Sequence, residues 1–180
     1  MRVITGTARG RKLETLSGED VTRPTSQAVK EALFSSIQFE LEGKRVLDLF
    51  AGCGQLGIEA LSRGAAVCTF VENNRAAYKI TEGNINHCGF GDRANLVFAD
   101  AVSFLMRGGS YDIAFLDPPY SEGLYEKCLD ALAQHMSDDG VIICESRANE
   151  PMPDTAGDFA KSRERKYGKS KLTYYRRNEG

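Results

Sequence analysis

The chain is predicted to form an α/β fold, a mostly parallel sheet with helices on both faces. Three observations lead there. From residue 45 to residue 145, short apolar runs of strand length alternate with segments of helical period. The first apolar run passes directly into Gly52-Cys53-Gly54-Gln55-Leu56-Gly57 and then into a helical pattern. Near the C-terminus the alternation stops, and two strand-like segments flank Tyr167-Gly168-Lys169-Ser170, which reads as an antiparallel hairpin.

The elements can be justified in turn. Val29, Leu33, Phe34, Ile37 and Leu41 fall at helical spacing over 27–41, with Thr25 or Ser26 as a cap and Gly43 as the stop. Strands are expected at 45–50, 67–71, 95–98, 111–116 and 141–145, and helices at 55–63, 75–87, 102–107 and 124–136. Pro151, Pro153 and Gly157 mark a loop before the final hairpin, 158–166 with 172–177. The first fifteen residues can form a second small hairpin. One domain is expected, with residues 1–20 as a basic hairpin extension and 21–180 as the core.

Composition bounds the possibilities. At 180 residues, 42% of them hydrophobic and 27% charged, the chain suits one sizeable core. No run approaches the length of a membrane span, and the start has no apolar stretch of secretory type, so a cytoplasmic protein is the expectation. Cys53, Cys68, Cys88, Cys128 and Cys144 show no C-x-x-C pair, which argues against a disulfide framework or a zinc site. The net charge of -2 hides an asymmetry: residues 1–31 carry +2, 32–160 carry -10 and 161–180 carry +6. Basic ends around an acidic middle suit a polyanionic partner, and a solvated basic tail is the competing explanation.

The glycine loop lies after a strand and before a helix, where glycine allows a tight turn and close approach of a ligand. Dinucleotide enzymes share that motif, and Asp48 separates the two classes. A carboxylate four residues before Gly52 would repel a pyrophosphate but attract the ammonium and sulfonium of S-adenosylmethionine. Glu72, ending the second strand, can grip ribose hydroxyls, and Asp100, after the third, can accept from the adenine amine. Asp48 and Asp100 could instead cap helices.

Asp117-Pro118-Pro119-Tyr120 follows the fourth strand directly. Two prolines cannot continue a sheet ladder, so they form a rigid turn at the crevice where open α/β sheets bind ligands. An exocyclic base amine is a poor nucleophile because its lone pair is delocalised into the ring. The Asp117 carboxylate and the Pro118 carbonyl can accept its two N–H bonds and favour a more nucleophilic geometry, while Tyr120 stacks on the extruded base. Whether Asp117 or water takes the proton is open.

Thr22-Arg23-Pro24-Thr25, Glu31-Ala32-Leu33-Phe34, Asp48-Leu49-Phe50-Ala51-Gly52, Leu61-Ser62-Arg63-Gly64, Asp117-Pro118-Pro119-Tyr120 and Tyr167-Gly168 together resemble the bacterial 16S rRNA (guanine-966-N2)-methyltransferases over nearly the whole chain. The resemblance implies a Rossmann-like class I S-adenosylmethionine-dependent methyltransferase, with a seven-stranded sheet, a final antiparallel strand and a small N-terminal hairpin. It implies methylation of a guanine N2 in 16S rRNA within a small-subunit assembly particle. Cofactor binding then falls to Asp48, Gly52, Gly54, Glu72 and Asp100, and the target amine to Asp117 and Tyr120. The basic ends suggest RNA contacts through Arg9, Arg11, Lys12, Arg23 and Lys169. A monomer with no membrane partner is expected. Two places depart from the family pattern: Gln27-Ala28 where Asp-Arg is frequent, and Cys53 and Gln55 where small residues are usual. The rivals are a DNA adenine-N6 or other nucleic-acid amino-methyltransferase, a non-catalytic RNA-binding protein and a dehydrogenase.

Overall fold

Along β1 (Arg45–Asp48), three consecutive buried residues follow one exposed residue. Val46 points to one side of the sheet and Leu47 to the other, each into a separate apolar cluster. A strand buried on both faces needs cover on both, and α/β alternation supplies it. The computed structural model describes residues 1–16, 26–118 and 123–178. Those residues form α1 (Ser26–Ser36), β1, α2 (Gln55–Ser62), β2 (Val67–Glu72), α3 (Arg75–His87), β3 (Ala94–Phe98), α4 (Ala101–Leu105) and β4 (Tyr111–Leu116). Then come α5 (Leu124–Ala133), β5 (Met136–Arg147), β6 (Thr155–Ala156), β7 (Phe159–Tyr167) and β8 (Ser170–Arg177).

The sheet order is β3-β2-β1-β4-β5-β8-β7-β6. The pairs from β3 to β5 are parallel, and β8 inserts antiparallel between β5 and β7. One cluster joins the N-terminal segment, α1, α2 and Ile85 of α3 to Phe70, Phe115, Ile143 and Tyr174; the other joins α4 and α5 to Leu47, Ala114, Ile142 and Tyr175. Residues 1–13 form the expected hairpin, tied by an antiparallel bridge between Arg2 and Lys12.

The sheet has eight strands rather than seven. The extra one, β6, is two residues long and pairs with Phe159 and Ala160 at the outer edge, too short to carry a period in the sequence. The first helix stops at Ser36, short of 41, where Ser36 Oγ donates to the Leu33 carbonyl at 2.5 Å and competes with continued helix. Ile37 and Leu41 remain core residues all the same. The last helix ends at Ala133 because the chain turns there and Met136 pairs with Tyr111. β5 therefore starts five residues before 141, across a bulge at polar Ser137-Asp138-Asp139 that resembles loop. Among the described residues, no helix is long and apolar enough to cross a membrane.

Candidate active site

Everything the sequence marked around the cofactor motif gathers at the C-terminal ends of the parallel strands. Gly52 and Gly54 both have positive φ, at 60° and 82°, which lets the chain leave β1 and enter α2 within one turn. A Cβ on Gly52 would meet nothing within 4 Å, so open space lies over the loop. Gly57 serves packing instead: a Cβ there would stand 2.3 Å from the Phe70 ring, and α2 could not lie so close on β2.

Asp48 is 2% exposed and its Oδ2 accepts from the Gly57 N–H at 3.0 Å, an anion held at the N-terminal turn of α2. Burial pushes its carboxyl up to about 7, reinforced by the negative charges of Asp117 and Glu72, with the Gly57 hydrogen bond opposing. The three carboxylates therefore share one electrostatic environment. Glu72 Oε1 accepts from Gly52 N at 2.9 Å, and Oε2 accepts from Asn73 N and Asn74 N, both at 2.8 Å. Two lone pairs of Oε2 are thereby used, leaving one on Oε1 for a hydroxyl. Asp100 is exposed and caps α4 through a 3.1 Å bond from Ser103 N to Oδ2.

Sequence reasoning missed the support behind the loop. Thr81 Oγ1 donates to the Gly52 carbonyl at 2.6 Å, and Asn84 Nδ2 donates to the Cys53 carbonyl at 2.9 Å. Asn84 also binds both backbone groups of Glu14. The signal was present, since Thr81 and Asn84 interrupt the buried stripe of α3 with polar residues. Gln55 Oε1, at the first position of α2, is buried without a hydrogen-bond partner among the described residues.

Asp117 follows β4 half-buried and Pro118 is buried beside it. Further along the chain, Tyr125 Oη donates to the Glu145 carbonyl at 2.5 Å and pins α5 to the end of β5. Tyr120 and Arg23, with the Thr22–Thr25 motif, lie outside the described residues.

The basic residues divide. Arg9, Arg11, Lys12 and Lys169 are all exposed. The turn of the N-terminal hairpin rests on Ser62, with Thr7 N donating to its carbonyl and Ala8 N to its Oγ, both at 2.9 Å. Ser62 ends α2, so Arg9 lies at the end opposite the glycine loop. Arg11 Nη1 donates to the His87 carbonyl at 2.8 Å, closing the C-terminus of α3. Lys12 borders a cavity of about 450 Å³ with Glu14, Gly83, Asn84 and His87. Lys169 is at the other end: Ser170 pairs with Arg147, three residues beyond the Cys144 that pairs with Leu116. The hairpin tip thus rises about 10 Å past the end of β4, on the same side of the sheet ends as Asp117.

Beside Glu59, the N-terminal hairpin has a second tie that the sequence did not disclose. This fully buried carboxylate accepts from Ile4 N at 2.8 Å and Thr5 N at 3.1 Å, and pairs with Lys30 at 3.1 Å and Arg63 at 2.9 Å. Burial lowers the Lys30 ammonium below its ordinary value despite Glu59.

A doubly wound sheet ending in an antiparallel hairpin, with a glycine loop and an acid at each of three strand ends, defines the Rossmann-like class I methyltransferases, whose cofactor is S-adenosylmethionine. The open space over Gly52, the acidic surround and the unmatched Gln55 acceptor fit that cationic group. A family model described as "Conserved hypothetical protein 95" matches residues 1–176, and the chain belongs to that family, the ribosomal RNA small subunit methyltransferase D group. Bacillus subtilis "Putative rRNA methyltransferase YlbH" is 36% identical over 98% of this chain and 99% of its own length. Escherichia coli "Ribosomal RNA small subunit methyltransferase D" is 34% identical over 98% of this chain and 90% of its own length. The solved structure of E. coli "Putative methyltransferase yhhF" is 34% identical, covers 100% of this chain and 99% of its own, and superposes with a TM-score of 0.89.

Proposed function

We propose that this chain transfers a methyl group from S-adenosylmethionine to the N2 amine of a guanine in 16S rRNA, acting as a monomer on a small-subunit assembly particle. Asp117 carries the reading: it lies two residues past Phe115, the register partner of Asp48, the acid beneath the glycine loop. A carboxylate at the end of β4, close to a buried acid under the glycine loop, suits an amine substrate beside a cationic cofactor.

The cofactor supplies an electrophilic methyl on its sulfonium. Asp48, Gly52, Gly54, Glu72 and Asp100 hold it: Glu72 through the free lone pair of Oε1, and Asp48 through its charge. Asp117 Oδ and the Pro118 carbonyl accept the two N–H bonds of the guanine amine and fix the nitrogen. Tyr120 stacks on the base, which must leave its helix to enter the crevice. Once methylated, the amine is acidic and its proton leaves to Asp117 or to water. Positioning is the main source of rate. Arg23, Lys12 and Lys169 contact the RNA, with Arg9 and Arg11 contributing from the far end of the hairpin.

The test is incubation of tritiated S-adenosylmethionine with small-subunit particles, free 16S rRNA and duplex DNA. Label in rRNA as N2-methylguanosine supports the proposal. Label in DNA, or none in any substrate despite cofactor binding, overturns it.

A further inference from the structure

The eight cations of the last twenty residues are not equivalent. Lys161 and Lys171 both reach Glu164, at 3.4 and 3.5 Å. Lys161 also meets Asp154, while Arg176 pairs with Glu40 and Arg177 with Asp158 and Asp138. Among the described residues, Arg163, Arg165, Lys166 and Lys169 have no acidic partner. All four are exposed.

A bulge decides where the two arginines point. The β7–β8 register shifts between Lys161 and Arg163, so that Lys161 opposes Tyr175 but Arg163 opposes Tyr174 and Arg165 opposes Leu172. Tyr174 and Leu172 belong to the cluster on the α1 face, and Tyr175 to the opposite one. Partners in register share a face, and successive residues alternate. In a regular ladder continued from Lys161, with Ser162 paired, Arg163 and Arg165 would point away from α1, and Glu164 toward it. With the bulge the arginines stand on the α1 face, Arg163 over the Tyr174 ring at 5.7 Å, while Glu164 and its lysines occupy the other. Bulges beside active sites commonly re-aim side chains in this way. The N-terminal hairpin packs on the same α1 face through Val3, Ala8 and Leu13, so its exposed Arg9 and Lys12 lie on the side to which Arg163 and Arg165 turn.

We propose that Arg163 and Arg165, turned onto the α1 face by the Ser162 bulge, form a phosphate-binding strip for RNA flanking the target base, and that the Lys161–Glu164–Lys171 face does not touch RNA. This rests on the rRNA reading above. Guanidinium groups suit phosphate recognition, and among the described residues no outer strand pairs with β7 beyond Lys161 to obstruct a backbone lying along it.

Two charge-matched double variants test it: Arg163→Ala with Arg165→Ala, against Lys161→Ala with Lys166→Ala. Affinity for a 16S rRNA transcript is measured by fluorescence anisotropy across a salt series, with S-adenosylmethionine affinity confirming an intact fold. Losing two phosphate contacts lowers the salt slope by about 1.4–1.8 and weakens binding about 10- to 30-fold at 0.15 M salt. The arginine pair should show this, and the lysine pair a change below about threefold. Equal losses in both pairs, or none in the arginine pair, overturn the strip. A parent protein that binds neither the transcript nor small-subunit particles refutes the rRNA reading instead.

Discussion

Replacing Asp48 with Asn removes the charge beneath the glycine loop and keeps the shape, because the amide oxygen can still accept from Gly57 N. The carboxyl is raised to about 7, chiefly by burial. A group with that value is about 3% ionised at pH 5.5 and about three-quarters ionised at pH 7.5. A cationic cofactor selects the ionised form, so its affinity should rise about 25-fold between those values, with proton release on binding. Calorimetry in buffers of different ionisation heat measures both. The Asn variant should bind weakly at pH 7.5 and lose the slope. Stability runs the other way. The folded value lies above the unfolded one, so native protein holds the extra proton between pH 4 and 7. The cofactor-free chain should lose stability as pH rises through that window, by roughly 4 kcal/mol from this group, and the Asn variant should not. A pH-independent affinity in the parent, or the same slope in the variant, refutes the reasoning.

Glu72→Ala should weaken S-adenosylmethionine binding about tenfold to a hundredfold, measured by calorimetry, and lower Tm because three backbone N–H groups lose their acceptor. Asp117→Ala should cut turnover about a hundredfold or more in a tritium-transfer assay while cofactor affinity holds. Glu59→Ala leaves Lys30 buried without its partner and should cost about 3–5 kcal/mol in urea unfolding, with Lys30→Met in the same chain recovering part of it.

The sheet core and the glycine loop were legible because their signals are local. A strand, a glycine turn and a helix follow each other in the chain, whereas Pro119 and Tyr120 lie outside the described residues. What lay hidden depends on distant residues. Glu59 sits on a short helix as an ordinary acid until Lys30 and the amides of Ile4 and Thr5 close around it. Charge counting treated the last twenty residues as one basic patch. Cross-strand register divides them, since one bulge reverses which face Arg163 and Arg165 occupy. Arg11, assigned to RNA from the charge pattern, also donates to the carbonyl that ends α3, a contact between residues 76 apart in the chain. Asp100 illustrates both readings at once, an acid after the third strand that also caps α4.

The most direct measurement is a nucleoside map of 16S rRNA from a strain lacking this protein. N2-methylguanosine should vanish at one position, return with the parent gene and stay absent with Asp117→Ala. An unchanged map, or restoration by the Asp117→Ala variant, would contradict the account.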